Sequence, residues 1–148
     1  QVLNGISDPR RVRVGQLLRI PVEPVRTVIH RSSFLMGVYV GDTLFRTWWI
    51  AHGKPGPETT TPVGTFKVTE KVANPDWYGP DAVVPFGHPD NPLGTHFVKV
   101  DKPGYGIHGT WEPNSIRQRA SLGCIRLENS EIAEYFALVP RTSAVTIR

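Results

Sequence analysis

Phe34-Leu35-Met36-Gly37-Val38-Tyr39-Val40-Gly41-Asp42-Thr43-Leu44-Phe45-Arg46-Thr47-Trp48-Trp49-Ile50 holds two runs rich in β-branched and aromatic residues, parted by Gly41-Asp42. Two residues of that type between such runs predict a hairpin with a mirror-image turn, whose twist matches that of the strands it joins. Trp48 and Trp49 then fall on opposite faces, one in the core and one outside. Outward from the hairpin, residues 64–69 and 95–100 alternate like half-buried strands, and residues 143–147 close the chain as another. Residues 17–20 read as a short apolar strand stopped by Pro21. Two segments read as helix. One is short, over residues 115–120. The other covers residues 129–139, with Asn129 as N-cap, Glu131 and Glu134 near the start, Pro140 as the stop, and Ile132, Tyr135, Phe136 and Val139 as its apolar face. Residues 74–92 read as a long loop, in which Trp77 and Tyr78 either form a lid or anchor the segment. The fold class is mainly β, with one or two short helices.

Composition agrees. Of 148 residues, 39% are hydrophobic and 20% charged, which excludes a disordered tail or a coiled coil. Glycine and proline number 14 each, a density that suits a sheet protein with many turns and not a helix bundle. The net charge of +4 is scattered along the chain; it suits contact with anionic polymers, and no nucleic-acid partner is expected. No apolar run approaches the length of a transmembrane helix. The chain opens Gln1-Val2-Leu3-Asn4 without an initiator Met, which reads as a processed or truncated start. Cys124 is the single cysteine, so no internal disulfide is possible. His30, His52, His88 and His96 lack ligand-like spacing and read as surface or structural residues; neither a metal nor another cofactor is expected.

The chemistry lies in Tyr105-Gly106-Ile107-His108-Gly109-Thr110 and Ser121-Leu122-Gly123-Cys124-Ile125-Arg126-Leu127. At an ordinary thiol pKa of ~8.5, only about 3% is thiolate at pH 7, so a nucleophilic cysteine needs a base. Histidine is the usual partner. Gly123 lets the backbone turn sharply and offers N–H groups to an oxyanion, while Gly106 and Gly109 allow close backbone approach around His108. Arg126 lies on the same face as Cys124 if the segment is extended, where its fork fits a carboxylate. A buried apolar thiol and a structural ion-pair arginine are the competing readings, and on residue types and spacing alone both stand.

In chain order, Thr61-Pro62-Val63-Gly64-Thr65-Phe66, Asn74-Pro75-Asp76-Trp77, Asn91-Pro92-Leu93-Gly94, Ile107-His108-Gly109-Thr110 and the motif from Ser121 to Leu127 resemble the landmarks of the L,D-transpeptidase catalytic domain of bacterial cell-wall enzymes. The resemblance runs from about Phe34 to the last residue. It implies a β-sandwich catalytic domain over 34–148, preceded by a linker or first strand at 23–33. Residues 1–22 resemble the second half of a glycan-binding LysM module. The implied reaction is a two-step acyl transfer. Cys124 attacks the carbonyl of the third residue of a peptidoglycan stem tetrapeptide and expels the terminal D-Ala; an amine from a second stem, or water, then releases the thioester. His108 serves as base and then acid, with its other nitrogen donating to the Gly109 carbonyl. Backbone N–H groups of Leu122, Gly123 and Cys124 form the oxyanion hole. Ser121, Arg126, Tyr105 and Trp111 are the implied substrate contacts, and covalent inhibition by carbapenems at Cys124 is implied as well. Many members carry His or Lys where this chain has Leu122. An extracytoplasmic location in periplasm or wall and a monomeric state are expected, with stem peptides and possible glycan strands as partners. The alternatives are an L,D-carboxypeptidase using water, a sortase-like transpeptidase and a non-catalytic wall-binding module. A sortase orders His, Cys and Arg alike but spaces them much more widely, and a papain-like peptidase runs Cys before His.

Overall fold

The computed structural model describes residues 4–79 and 81–148. Its hairpin is β2 (Leu35–Val40) and β3 (Thr43–Trp49), joined through Gly41 at φ 57°, the left-handed conformation that a mirror-image turn requires. Trp48 is buried in the core and Trp49 is 43% exposed, as the alternation predicts. The hairpin continues into β1 (Val25–His30), which pairs antiparallel with β2 and parallel with the closing strand β12 (Ala144–Ile147).

The strand that gives the molecule its shape is β5 (Gly64–Ala73). Its first residues pair antiparallel with β12, and after a bulge between Val68 and Glu70 its later residues pair with β8 (His96–Val100). A bulge bends the strand that carries it, so one strand serves two halves of a curled sheet. Beyond β8 come β9 (Gly106–His108), antiparallel to it, and β11 (Ile125–Arg126), parallel to β9. The full order is β11-β9-β8-β5-β12-β1-β2-β3. Helix α1 (Asn129–Leu138) packs on this sheet, and Ile132, Tyr135, Leu138 and Val139 join Ile29, Val98, Ile107 and Ile125 in a single core. Tyr135 is fully buried, its ring edge-on to Trp48 and its hydroxyl sharing a 3.1 Å hydrogen bond with Thr27 Oγ1, which satisfies both buried polar groups.

Four expectations are corrected. Residues 17–20 form no strand: Leu17 and Ile20 are exposed, no strand among the described residues supplies ladder partners, and side-chain bonds between Asn4 and the Arg19 backbone tie the segment instead. Residues 115–120 form no helix. A single 3₁₀ turn over Pro113–Ser115 gives way to Arg117 at φ 65°, and then to β10 (Arg119–Ser121), which pairs with β4 (His52–Gly53). Sheet pairing at long range overrides a weak local helix signal. The α1 N-cap is Glu128, whose N–H donates to the Glu131 carboxylate at 3.2 Å, and Asn129 turns its side chain elsewhere. Lastly, the stretch 74–92 contains a small hairpin, β6 (Trp77–Tyr78) with β7 (Val83–Val84); Pro80 at its tip lies outside the described residues. Residues 1–3 of the LysM-like segment also lie outside them, and residues 12–22 carry no regular element.

Candidate active site

The parallel pairing of β9 with β11 sets the site. Ile107 faces Ile125 and His108 faces Arg126 in register, so the residue before β11, Cys124, comes level with Gly106. The Cys124 thiol donates to the Gly104 carbonyl at 3.5 Å. Burial pushes its pKa up, opposed by the Gly106 backbone and by the nearby Arg126 charge.

His108 is buried at the end of β9 and edge-on to Phe97. Its Nδ1–H donates to the Gly109 carbonyl at 2.6 Å, a partner that can only accept, so Nε2 keeps the lone pair. Burial drives its pKa down to about 4, with the Arg126 charge acting the same way and the Gly109 bond opposing both. The resting pair is therefore neutral thiol and neutral imidazole near pH 7.

The loop between β10 and β11 is held from three sides. Ser121 is buried; its hydroxyl donates to the Cys124 carbonyl at 2.6 Å and accepts from the Gly123 N–H at 3.1 Å. Ser121 thus shapes the loop, its hydroxyl engaged on both sides by main chain. Thr61 accepts from the Gly53 N–H and donates to the Gly123 carbonyl, both at 2.8 Å, pinning the loop to β4. Gly123 sits at φ +123°, and a Cβ there would lie 2.7 Å from the Tyr105 ring. Of the three expected oxyanion donors, the Gly123 N–H is engaged by Ser121 Oγ. Those of Leu122 and Cys124 have no acceptor among the described residues. The Leu122 side chain itself points out, 71% exposed.

Residue reading overlooked Asn129 and Thr61. Asn129 Oδ1 accepts the Thr95 N–H at 3.0 Å and fills the space beside Gly94 and Gly109, where any Cβ would lie 2.2 Å from it. It backs the peptide that orients His108. Thr61 and Gly94 stand inside motifs that marked the resemblance, so their positions were signalled although their roles were not.

Cys124 opens on a cleft of about 610 Å³, shared with Tyr105, Phe97, Lys102 and, from the small hairpin, Trp77 and Tyr78. Of the two expected aromatic contacts, Tyr105 lines this cleft, and Trp111 is exposed and outside its lining. The Arg126 guanidinium donates from Nη1 to Glu112 Oε2 at 2.8 Å, so its fork meets one of the protein's own carboxylates.

Comparison with known proteins accords with this geometry. The family model for the L,D-transpeptidase catalytic domain, YkuD, matches residues 24–147. The putative L,D-transpeptidase YkuD of Bacillus licheniformis is 32% identical over 143 residues, covering 93% of this chain and 77% of that protein. The NMR structure of the catalytic domain from E. faecium L,D-transpeptidase aligns with TM-score 0.67 at 26% identity, covering 86% of this chain and 98% of that one. LD transpeptidase LdtMt1 in complex with imipenem aligns with TM-score 0.70 at 24% identity, over 85% of this chain and 59% of that one. This chain spans less than two thirds of that last protein. A buried histidine tied to a main-chain carbonyl beside a cysteine on a strand-to-strand loop, within a matching curled sheet, leads to one conclusion: the chain belongs to the YkuD family and carries an L,D-transpeptidase catalytic domain.

Proposed function

We propose that the domain is a peptidoglycan L,D-transpeptidase working by cysteine acyl transfer outside the cytoplasmic membrane. The observation that carries this reading is His108 Nδ1 bonded to the Gly109 carbonyl at 2.6 Å, which leaves Nε2 as the free base on the strand beside Cys124. In the first step Nε2 takes the thiol proton as Sγ attacks the carbonyl of the L,D-peptide bond of a stem tetrapeptide. The tetrahedral oxyanion is met by the Leu122 and Cys124 N–H groups. Collapse breaks the C–N bond, and the imidazolium returns its proton to the departing D-Ala amine. In the second step an acceptor amine attacks the thioester, His108 takes its proton, and the thiolate leaves and is reprotonated. The product is a 3-3 cross-link. Two carbonyls accept near the reacting centre: Gly109 from the imidazole, which fixes the tautomer, and Gly104 from the resting thiol, a bond the thiol gives up when its proton passes to Nε2.

Arg126, with its charge close to both reacting groups and its side chain tied to Glu112, serves as a positioning and electrostatic residue. The LysM-like segment over 1–22 is read as an accessory contact for glycan strands, and the domain as a monomer. Intact mass spectrometry after incubation with a carbapenem tests the nucleophile: a single adduct on the wild type, and none on Cys124→Ala, is the expected result. Incubation with a stem tetrapeptide tests the transfer. Release of D-Ala with a cross-linked dimer supports it, release without a dimer assigns the carboxypeptidase reaction, and no turnover by a folded protein leaves a wall-binding module.

A further inference from the structure

A second cavity, of about 370 Å³, shares no lining residue with the Cys124 cleft. Arg31, Arg119 and Arg148 converge on it, with Ser32 and Gly53 between them, and none of its lining residues is acidic. Elsewhere Arg10, Arg26, Arg46 and Arg126 each have a carboxylate within ion-pair distance, while Arg11, Arg13, Arg19, Arg117 and Arg141 are without one and lie outside this pocket. Among the described residues Arg31, Arg119 and Arg148 have none either.

Their positions are set by the sheet. The Arg31 N–H donates to the Arg148 carbonyl and the Arg148 N–H to the Ile29 carbonyl, both at 2.9 Å, while Arg119 lies in β10 opposite His52. The Arg31 head is held further: Nη1 donates to the Thr61 carbonyl at 2.7 Å, and its buried Nε has no acceptor among the described residues. Three guanidinium groups lining one pocket repel one another. An oxyanion relieves that repulsion, since guanidinium forks match the paired oxygens of carboxylate and phosphate.

We propose that this pocket is an oxyanion-binding site that takes a carboxylate or phosphate group. It adjoins the catalytic loop through Thr61, whose carbonyl accepts from Arg31 and whose hydroxyl donates to Gly123, and through Gly53, where a Cβ would lie 3.0 Å from the Gly123 Cα. A ligand anchored there is brought beside the loop by a route that does not enter the Cys124 cleft. The inference stands on the arginine cluster and not on the transfer reaction.

The test is a titration of the isotope-labelled protein, followed by amide NMR, with sodium phosphate and separately with sodium acetate. Ionic strength is held constant with sodium chloride. Saturable one-site shifts at Arg31, Ser32, Gly53 and Arg119, reaching Gly123, are expected. In the double variant Arg119→Gln, Arg148→Gln, which changes only exposed side chains, the apparent Kd for the anion weakens by about tenfold or more. Tighter binding of phosphate assigns a phosphoryl source, and tighter binding of acetate a carboxyl source. Shifts that do not saturate, that spread over all basic surface residues, or that persist with unchanged Kd in a folded double variant overturn the site.

Discussion

His108 shows how one side chain can be disabled as a cation and enabled as a base. Its burial brings the pKa down to about 4, and the Gly109 carbonyl fixes which nitrogen holds the proton. The sign of the pH effect follows. In the proposed transfer the base must be neutral, so it is competent above its folded pKa and lost as pH falls through it. The acid limb of kcat/KM is therefore expected near pH 4, well below the ordinary histidine value of about 6.5. Because the Cys124 thiol is raised, no thiolate fraction adds to the rate at neutral pH. A pH–rate profile with an acid midpoint at or above 6.5 would sink this account. The fork of Arg126 illustrates the reverse lesson. Sequence allowed either a substrate carboxylate or a structural partner, and the segment from Trp111 to Ser115 supplies the partner as Glu112, fourteen positions away. No spacing rule reaches that far.

At the scale of elements, the hairpin was legible because its information is local: the turn residues and the alternation lie within the two strands. Trp48 and Trp49 test that alternation directly. Trp48→Ala is expected to cost about 3–5 kcal/mol through the cavity left in the core, whereas Trp49→Ala, at an exposed position, is expected to cost under about 1 kcal/mol. Urea unfolding of the two variants checks the difference, and equal costs would refute the facing. The elements that were misread all depend on distant partners. Residues 17–20 have strand-like side chains but no strand beside them among the described residues. Residues 119–121 became a strand because β4, nearly seventy positions earlier, offers a ladder. Asn129 has the residue type of an N-cap, yet its carbonyl oxygen goes to Thr95 on the far side of the site.

At the scale of the whole molecule, stability and activity are linked through the same histidine. In the unfolded chain His108 titrates near 6.5, and in the fold near 4, so between those values the unfolded state binds more protons. The stability contributed by keeping the ring neutral is complete above about pH 6.5 and is lost as pH falls towards 4. The loss is on the order of 3 kcal/mol. Urea midpoints measured at pH 7 and pH 4.5 should differ more in wild type than in His108→Gln by roughly that amount, and an identical pH dependence would contradict the assignment. The fold also joins its ends: β1 and β12 pair in parallel at the middle of the sheet, so residues from both termini of the domain hold the strand that bends at β5.

By itself the sequence determined the β class, the hairpin and a helix read over 129–139, one residue longer than α1, and it singled out Cys124 and His108 as candidates, because periodicity, turn chemistry and short motifs are properties of neighbouring residues. Only the tertiary structure decided which polar groups around them are free. It engaged the Gly123 N–H with Ser121, paired Arg126 with Glu112, left Trp111 outside the cleft, and gathered three arginines from residues 31, 119 and 148 into one pocket. Hydrogen bonds and charge pairs act over a few ångströms in space whatever the separation along the chain, and that distance is set by the curl of the sheet.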